Sequence, residues 1–396
     1  MKLETLDDQS LGGKNVLVRV DFNVPMDEGE ITDDTRIRAH LDTINILRRG
    51  GAKIALASHL GRPKGKVSPD LSLFPVLRLL GTLTCSEVFF CDDCVGEKVL
   101  TRVNSMNEGD ICLLENLRFH PGEEANDPVF AENLAKPFDL FVMDAFSAAH
   151  RAHASTVGVT RFLPSCAGIL MDKEVSVLSS LMECPRKPLV IILGGAKVSD
   201  KIGFIRSMLE KADAILIGGA MAFPFLKAAG KTIGSSFCEE GTEVVAAEIV
   251  KTAAVAGVKI LLPVDLVTVG RNGDGGEAEV IAADSVPANR VGLDIGPETV
   301  TLFSTEIQRA GSILWNGPLG LFERKPFGEG TKRVGISVAK KSADGAISVL
   351  GGGDTAAAAN LLGFAQGIYH ISTGGGATLE FFDKKGLPGI TPLLVP

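Results

Sequence analysis

No apolar run in this 396-residue chain approaches the roughly 20 residues that a membrane-spanning helix needs, so a helical span is excluded. The N-terminal MKLETLDDQS has no apolar core and is not expected to act as a signal peptide. An excess of positive charge is also missing. The formal net charge is −8, so nothing favours general binding to nucleic acid or to a membrane surface. Any anion site must be a local basic cluster. A disulfide framework is missing too: seven cysteines, an odd number, are scattered along the chain and fit reduced thiols in a cytosol. Cys91-x-x-Cys94 has no matching second pair and reads as two ordinary thiols rather than a zinc site. Low-complexity segments and short repeats are absent. Two glycine signatures are absent as well. There is no G-x-x-x-x-G-K-[ST], and no G-x-G-x-x-G follows the first strand, which argues against a dinucleotide-binding dehydrogenase.

What the chain does have is best seen in Leu189–Lys201, LVIILGGAKVSDK. The apolar run has the length of a buried parallel strand. Gly194-Gly195 lets the backbone turn sharply and approach a ligand. Ser199 is placed to N-cap a helix starting near Asp200. Lys201 then falls in the first turn, where the positive helix end disfavours a cation. A bound polyanion would compensate that cost. The bland reading is a strand-loop-helix unit with two solvated lysines, Lys197 and Lys201.

Around this stretch, short apolar strands alternate with amphipathic helices. Strands are expected near 15–25, 53–60, 86–92, 111–117 and 139–146. Helices are expected from 33–34 to 50, at 71–80 and at 127–136. After a turn-rich segment, one amphipathic helix is expected at 170–182, and the alternation then restarts. Strands follow near 189–194, 214–218, 259–264, 312–316 and 347–351. Helices lie near 200–211, 242–256, 298–310 and 328–342. The pattern predicts an α/β protein of two lobes, each a doubly wound parallel β-sheet flanked by helices. The expected divisions are 1–166, an interlobe helix and hinge at 167–186, 187–380, and a tail at 381–396.

Ligands in such sheets sit beyond the carboxyl ends of the strands. In the first lobe those ends carry Asp21 and Asn23, His59 and Arg62, and Arg118. Arg36 opens the first helix and Arg151 lies in the loop AHRAH. Four separated arginines suit a small polyanion, because the guanidinium fork matches phosphate and carboxylate. Asp21 and Asn23, two apart, would share one side of a strand and hold a hydroxyl. His150 and His153 lack a third metal ligand and have an arginine between them. In the second lobe the strand ends are glycine loops: GGAKVSDK, GGGDTAAAA at 351–359 and TGGGATLE at 373–380. Bare amides before helix N-termini form a phosphate cradle. Asp354 either N-caps its helix or holds Mg²⁺ beside a polyphosphate. In WNGPLGLFE, Asn316 and Glu323 are candidates for a nucleoside, although Glu323 alone reads as a solvated acid. An arginine cluster on one lobe and glycine loops with lysines on the other suggest phosphoryl transfer across a cleft closed by hinge motion.

The segments RVDFNVP, SHLGRP, LLENLRF, AHRAHAS, GGAKVSDKI, WNGPLGLFE, GGGDTAAA and STGGGATLE, in this order, closely resemble the phosphoglycerate kinase family. The resemblance implies two Rossmann-like lobes joined by a helix, with the C-terminal tail returning to the first lobe. It implies reversible, Mg²⁺-dependent transfer from 1,3-bisphosphoglycerate to ADP, giving ATP and 3-phosphoglycerate in glycolysis. By motif match it assigns Asp21, Asn23, Arg36, His59, Arg62, Arg118 and Arg151 to the phosphoglycerate site. Lys197, Lys201, Gly292, Asn316, Glu323, Gly352, Gly353, Asp354 and Thr355 fall to the nucleotide site, with Asp354 towards Mg²⁺. Gly374 and Gly375 would offer amides to the transferring group, and Arg36 and Lys201 would act on it. The family pattern also implies a cytoplasmic monomer with small-molecule substrates and no nucleic-acid or membrane partner. The rival from another class is a nucleotide- or phosphosugar-binding module without catalysis, which would lack Arg36 or Lys201. One departure is visible: the family's usual Asp-Ala-Phe-Gly-Thr-Ala-His reads Asp144-Ala145-Phe146-Ser147-Ala148-Ala149-His150 here.

Overall fold

Apolar residues, with valine, isoleucine and leucine prominent in most of them, fill the short strands of the first half because both faces of the sheet are covered by helices. These strands are β1 Asn15–Arg19, β2 Lys53–Ala57, β3 Val88–Cys91, β4 Ile111–Leu114, β5 Leu140–Met143 and β6 Ser165–Ala167. The computed structural model describes residues 1–271, 277–384 and 386–395. It divides into two units, 1–177 with 384–396, and 178–383. In unit 1 the sheet order is β3-β4-β2-β1-β5-β6, parallel throughout. The chain leaves β1 towards β2 on one side and returns to β5 on the other, so the switch point lies between β1 and β5. The helices are α1 Thr35–Ala39, α2 Leu41–Arg49, α3 Phe74–Thr84, α4 Glu97–Ser105, α5 Pro121–Glu124 and α6 Pro128–Ala135, and α7 Ile169–Glu183 runs across the division at 177/178. Ile44, Leu47, Val76 and Leu80 pack on Val16, Val18, Ile54 and Leu56 in one core. Gly389 N donates to Ala149 O at 2.8 Å, and Glu4 N to Leu393 O at 2.9 Å, which fixes this end of the 381–396 tail in unit 1, whereas residues 381–383 belong to unit 2. Residues 385 and 396 of that tail lie outside the described residues.

In unit 2 the strands are β7 Leu189–Leu193, β8 Ala214–Ile217, β9 Lys259–Leu261, β10 Asp265–Gly270, β11 Glu279–Ala282, β12 Arg290–Ile295, β13 Ser312–Asn316, β14 Ile347–Gly351 and β15 His370–Ile371. The parallel sheet runs β9-β8-β7-β13-β14-β15, with its switch point between β7 and β13. The helices are α8 Ile202–Met208, α9 Ala222–Ala228, α10 Thr242–Ala256, α11 Pro297–Ile307, α12 Glu329–Ala343, α13 Gly353–Leu361 and α14 Gly376–Lys384. Trp315, Phe303, Val334 and Val338 close the core over Val190, Ile192 and Leu350. No helix among the described residues is long and apolar enough to cross a membrane.

Several expectations need correction. The strand over 15–25 ends at Arg19, so Asp21 and Asn23 stand in a loop and not on one strand face. The helix from 33–34 to 50 is broken at His40, whose ring binds both Asp21 N and Asp144. That buried tether holds the break, which hydrophobic periodicity cannot reveal. Ser199 does not cap a helix. A 3-10 turn, Ser199–Lys201, precedes α8, and Ser199 Oγ donates to Glu239 Oε1 at 2.9 Å. The antiparallel sheet β11-β10-β12 was not expected. Its strands are partly exposed and lack the continuous apolar signal of the parallel ones.

Candidate functional site

In unit 1 the loop after β1 gathers most of the expected anion-site residues. Arg36 Nη1 donates to Asp21 Oδ2 at 2.9 Å and to Asn23 O at 3.2 Å. Asn23 Oδ1 accepts from Gly61 N at 2.9 Å, and Arg118 Nη1 donates to Gly61 O at 2.7 Å. Asp21, Asn23, Arg36 and Arg118 are therefore linked through the loops that follow β1, β2 and β4. His59 Nδ1 lies 4.0 Å from Asp21 Oδ1 and 3.1 Å from Arg19 Nη2. Since Arg19 can only donate, Nδ1 accepts, and the neutral ring carries its proton on Nε2. Arg151 Nε donates to His150 Nε2 at 3.1 Å. Arg62 is exposed, with no hydrogen-bond or ion-pair partner among the described residues.

The electrostatics follow from burial and from this crowd of cations. His59 is held well below its usual value, first by burial, then by Arg19, Arg118 and Arg151, which together outweigh the attraction of Asp21. Burial pushes Asp21 upward, but the attraction of His59 and Arg36 and the hydroxyl of Ser147 outweigh it and hold the carboxyl at about 2. With His59 neutral near pH 7, Arg36 and Ser147 carry that effect, and Asp21 stays ionised. Behind this layer, Arg19 Nε donates to Ser155 Oγ at 2.8 Å, and Ser155 Oγ donates to Glu123 Oε1 at 2.6 Å. His153 Nδ1 stands 3.7 Å from the same Glu123 oxygen. Arg19, Ser155 and Glu123 were missed in the sequence. Arg19 carried one available signal, a cation inside an apolar strand.

In unit 2 the loops after β7, β8, β13 and β14 converge. Gly194 N donates to Asn316 O, and Gly195 N to Pro318 O. A Cβ on Gly194 would meet Pro318 O at 2.0 Å, so only glycine permits this approach. Lys201 Nζ donates to Gly194 O at 2.6 Å and to Asn316 O at 3.2 Å. The expected penalty against a helix end is thus offset by two carbonyls, not only by a ligand. Burial lowers Lys201 to about 8, against the opposing attraction of Asp354 and Asp200. Thr355 Oγ1 accepts from Gly317 N at 2.7 Å and donates to Gly351 O at 2.8 Å, and Asn316 Nδ2 donates to Gly351 O at 3.0 Å. Thr355 therefore pins two loops together, and its hydroxyl is spent inside the protein.

Beside this knot lies an apolar cavity of about 270 Å³, lined by Gly195, Phe223, Leu266, Gly292, Leu321 and Asp354 among others. Glu323 stands at its edge, exposed. A Cβ on Gly292 would meet the Phe223 ring at 2.8 Å, so glycine keeps that wall open. Asp294 also lines the cavity and was missed. It is almost fully buried, and burial raises it to about 7 against the opposing amides of Gly330 and Ile295. Lys197 is exposed without a hydrogen-bond or ion-pair partner among the described residues. Gly352 and Gly353 open α13. Gly374 and Gly375 lie in the turn before α14 and are not part of the cavity lining, and Gly374 N donates to Ser372 Oγ at 3.1 Å. Apolar walls with a few converging polar groups suit a purine, and the adjoining amides and lysines suit its phosphates.

The phosphoglycerate kinase family model matches residues 6–385. A curated phosphoglycerate kinase from Microcystis aeruginosa is 49% identical over 391 residues, covering 98% of this chain and 97% of that protein. The solved phosphoglycerate kinase of Coxiella burnetii is 39% identical, with a TM-score of 0.89 over 99% of both chains. That of Pyrococcus horikoshii is 32% identical, with a TM-score of 0.83 over 99% of this chain and 98% of the other. With its residues, its two sheets and these relatives in agreement, the chain belongs to the phosphoglycerate kinase family.

Proposed function

We propose that the residue clusters of the two units divide the work of a phosphotransferase with a carboxyl-group acceptor. Unit 1 would bind 3-phosphoglycerate or 1,3-bisphosphoglycerate through Asp21, Asn23, Arg36, His59, Arg62, Arg118 and Arg151. Unit 2 would bind ADP or ATP through Lys197, Lys201, Gly292, Asn316, Glu323 and Gly352–Thr355. The observation that carries the reading is Lys201, whose ammonium is held between two strand-end loops next to an apolar cavity.

In the ATP-consuming direction the nucleophile is a substrate carboxylate, already ionised at neutral pH, so no general base is required. The need is for charge neutralisation on the transferring oxygens. Arg36 and Lys201 supply cations for that purpose, and Gly375 supplies an amide that no protein group occupies among the described residues. Asp354 fits Mg²⁺: its carboxylate borders the cavity and is exposed, and no hydrogen bond engages it among the described residues. When bound with the nucleotide phosphates, Mg²⁺ would neutralise their charge. The hinge closure implied by the family pattern belongs to the same proposal, as do a monomeric state and a cytoplasmic location.

The test is a coupled assay of ATP formation from 1,3-bisphosphoglycerate and ADP, with and without Mg²⁺. Mg²⁺-dependent ATP production supports the reading. Nucleotide binding without turnover would leave only a binding module.

A further inference from the structure

Cys94 is not paired with Cys91. Cys91 Sγ lies 3.4 Å from Cys112 Sγ on the neighbouring strand, and the Cys94 thiol points elsewhere. Cys94 is 1% exposed, and its sulfur has no hydrogen-bond partner among the described residues. Its neighbours are Asp93 and His120. One ligand atom from each of the three lies within 4.8 Å of the other two. His120 Nε2 is 2.7 Å from Asp93 Oδ1, and both side chains are partly exposed, so the cluster opens to solvent on one side. Asp93 is fixed from below, because its Oδ1 accepts from Cys94 N and Val95 N. His120 is held by stacking on Phe130, with ring centroids 5.1 Å apart.

We propose that Asp93, Cys94 and His120 form a binding site for a borderline-soft divalent cation of the zinc type, separate from the nucleotide-bound Mg²⁺. A thiolate, an imidazole and a carboxylate, with one position left to water, are the donor set of an open tetrahedral zinc site. Bond lengths of about 2.0–2.3 Å place tetrahedral ligands roughly 3.3–3.6 Å apart. Asp93 and His120 therefore part slightly from their 2.7 Å contact, and the Cys94 sulfur, within 4.8 Å of both ligand atoms, draws in. The charges balance: one carboxylate and one thiolate neutralise M²⁺, and the imidazole binds neutral. Without an ion, burial first, and then the charges of Asp93 and Glu123, keep the thiol protonated. The ion takes the place of that proton, which leaves to solvent. Magnesium would not compete, since it takes oxygen ligands. The location gives such an ion a consequence. It would tie the loop after β3 to the turn that carries Arg118, two residues before His120.

The experiment is a titration of the metal-free full-length protein with Co²⁺, read by absorption. The expected result is one equivalent bound, with a thiolate-to-cobalt charge-transfer band that Zn²⁺ displaces. Cys85 and Cys184 are exposed and Cys238 is half-buried, so cobalt on those thiols must be distinguished. Cys94→Ser should lose the band. His120→Ala and Asp93→Asn, at partly exposed positions that keep the thiol, should lose tight binding. Zn²⁺ should also raise the unfolding temperature of the wild type and not that of His120→Ala, because a ligand that prefers the folded state stabilises it. The same band in Cys94→Ser, or undiminished binding in both His120→Ala and Asp93→Asn, would assign the metal to other thiols and overturn the site. A wild type without a band would overturn it too.

Discussion

Ser147 donates its hydroxyl to Asp21 Oδ2, the same carboxylate oxygen that Arg36 Nη1 takes at 2.9 Å. Ser147 stands where the family pattern has glycine, so this hydrogen bond comes from the chain's own departure. Its effect is to give that carboxylate oxygen a second donor beside the cation. Arg36 is the more exposed partner of the pair.

Removing that hydroxyl should loosen the proposed phosphoglycerate site without emptying it. A hydrogen bond to a charged group contributes about 1.5–3 kcal/mol. Ser147→Ala is expected to raise KM for 3-phosphoglycerate about tenfold with kcat little changed. Asp21 would lose one of the groups that hold it at about 2, so the acid limb of kcat/KM should move to higher pH. Steady-state kinetics between pH 4 and 7 measures both. An unchanged KM and an unchanged acid limb would reduce Ser147 to a filler.

Arg36 is partly exposed and anchored on Asp21 and Asn23, so its guanidinium is preorganised but reachable. Arg36→Ala should lower kcat by about 100-fold or more, the usual cost of losing one group that stabilises developing charge. Nucleotide affinity should hardly change. Assays in both directions, with ADP binding measured by calorimetry, separate the two effects. Unchanged turnover would sink the role assigned to Arg36.

Lys201 is lowered to about 8 by burial, so the free protein loses this cation just above neutrality. Deprotonation removes attraction for phosphate. The Kd for ADP should therefore be flat below pH 7 and should weaken as pH rises through about 8. Lys201→Arg stays charged and should show no such inflection. Lys201→Ala should lower kcat more than it weakens nucleotide binding. A wild-type Kd that is constant from pH 7 to 9.5 would contradict the assignment.

Asp294 has the opposite sign. Its folded value of about 7 lies above the ordinary carboxylate range. The folded protein therefore holds a proton that the unfolded chain has lost. The stability this contributes is complete below about pH 4 and disappears as pH rises through 7, on the order of 1.4 kcal/mol per pH unit. Asp294→Asn should flatten the fall in unfolding temperature between pH 5 and 8. Thermal melts of both proteins test this, and parallel curves would refute it.

The sequence by itself determined the architecture and the residue types of both clusters. Apolar strands of four or five residues, alternating with amphipathic helices, left little choice but covered parallel sheets. Glycines at the ends of β7 and β14 marked where a backbone must approach a ligand. Local spacing, however, carries no information about partners far apart in the chain. It could not show that His40 breaks a helix to reach Asp144, 104 residues away, or that Ser147 reaches Asp21 across 126. Nor could it show that Arg19 belongs with Ser155 and Glu123, or that Lys201 rests on carbonyls from two separate loops. Cys91-x-x-Cys94 read as two ordinary thiols. The pleat of β3 turned Cys91 towards Cys112, and the fold left Cys94 with Asp93 and His120. Burial decided the remaining chemistry, because a neutral His59, a weakened Lys201 and a raised Asp294 carboxyl all follow from exclusion of water, which only the packed structure supplies.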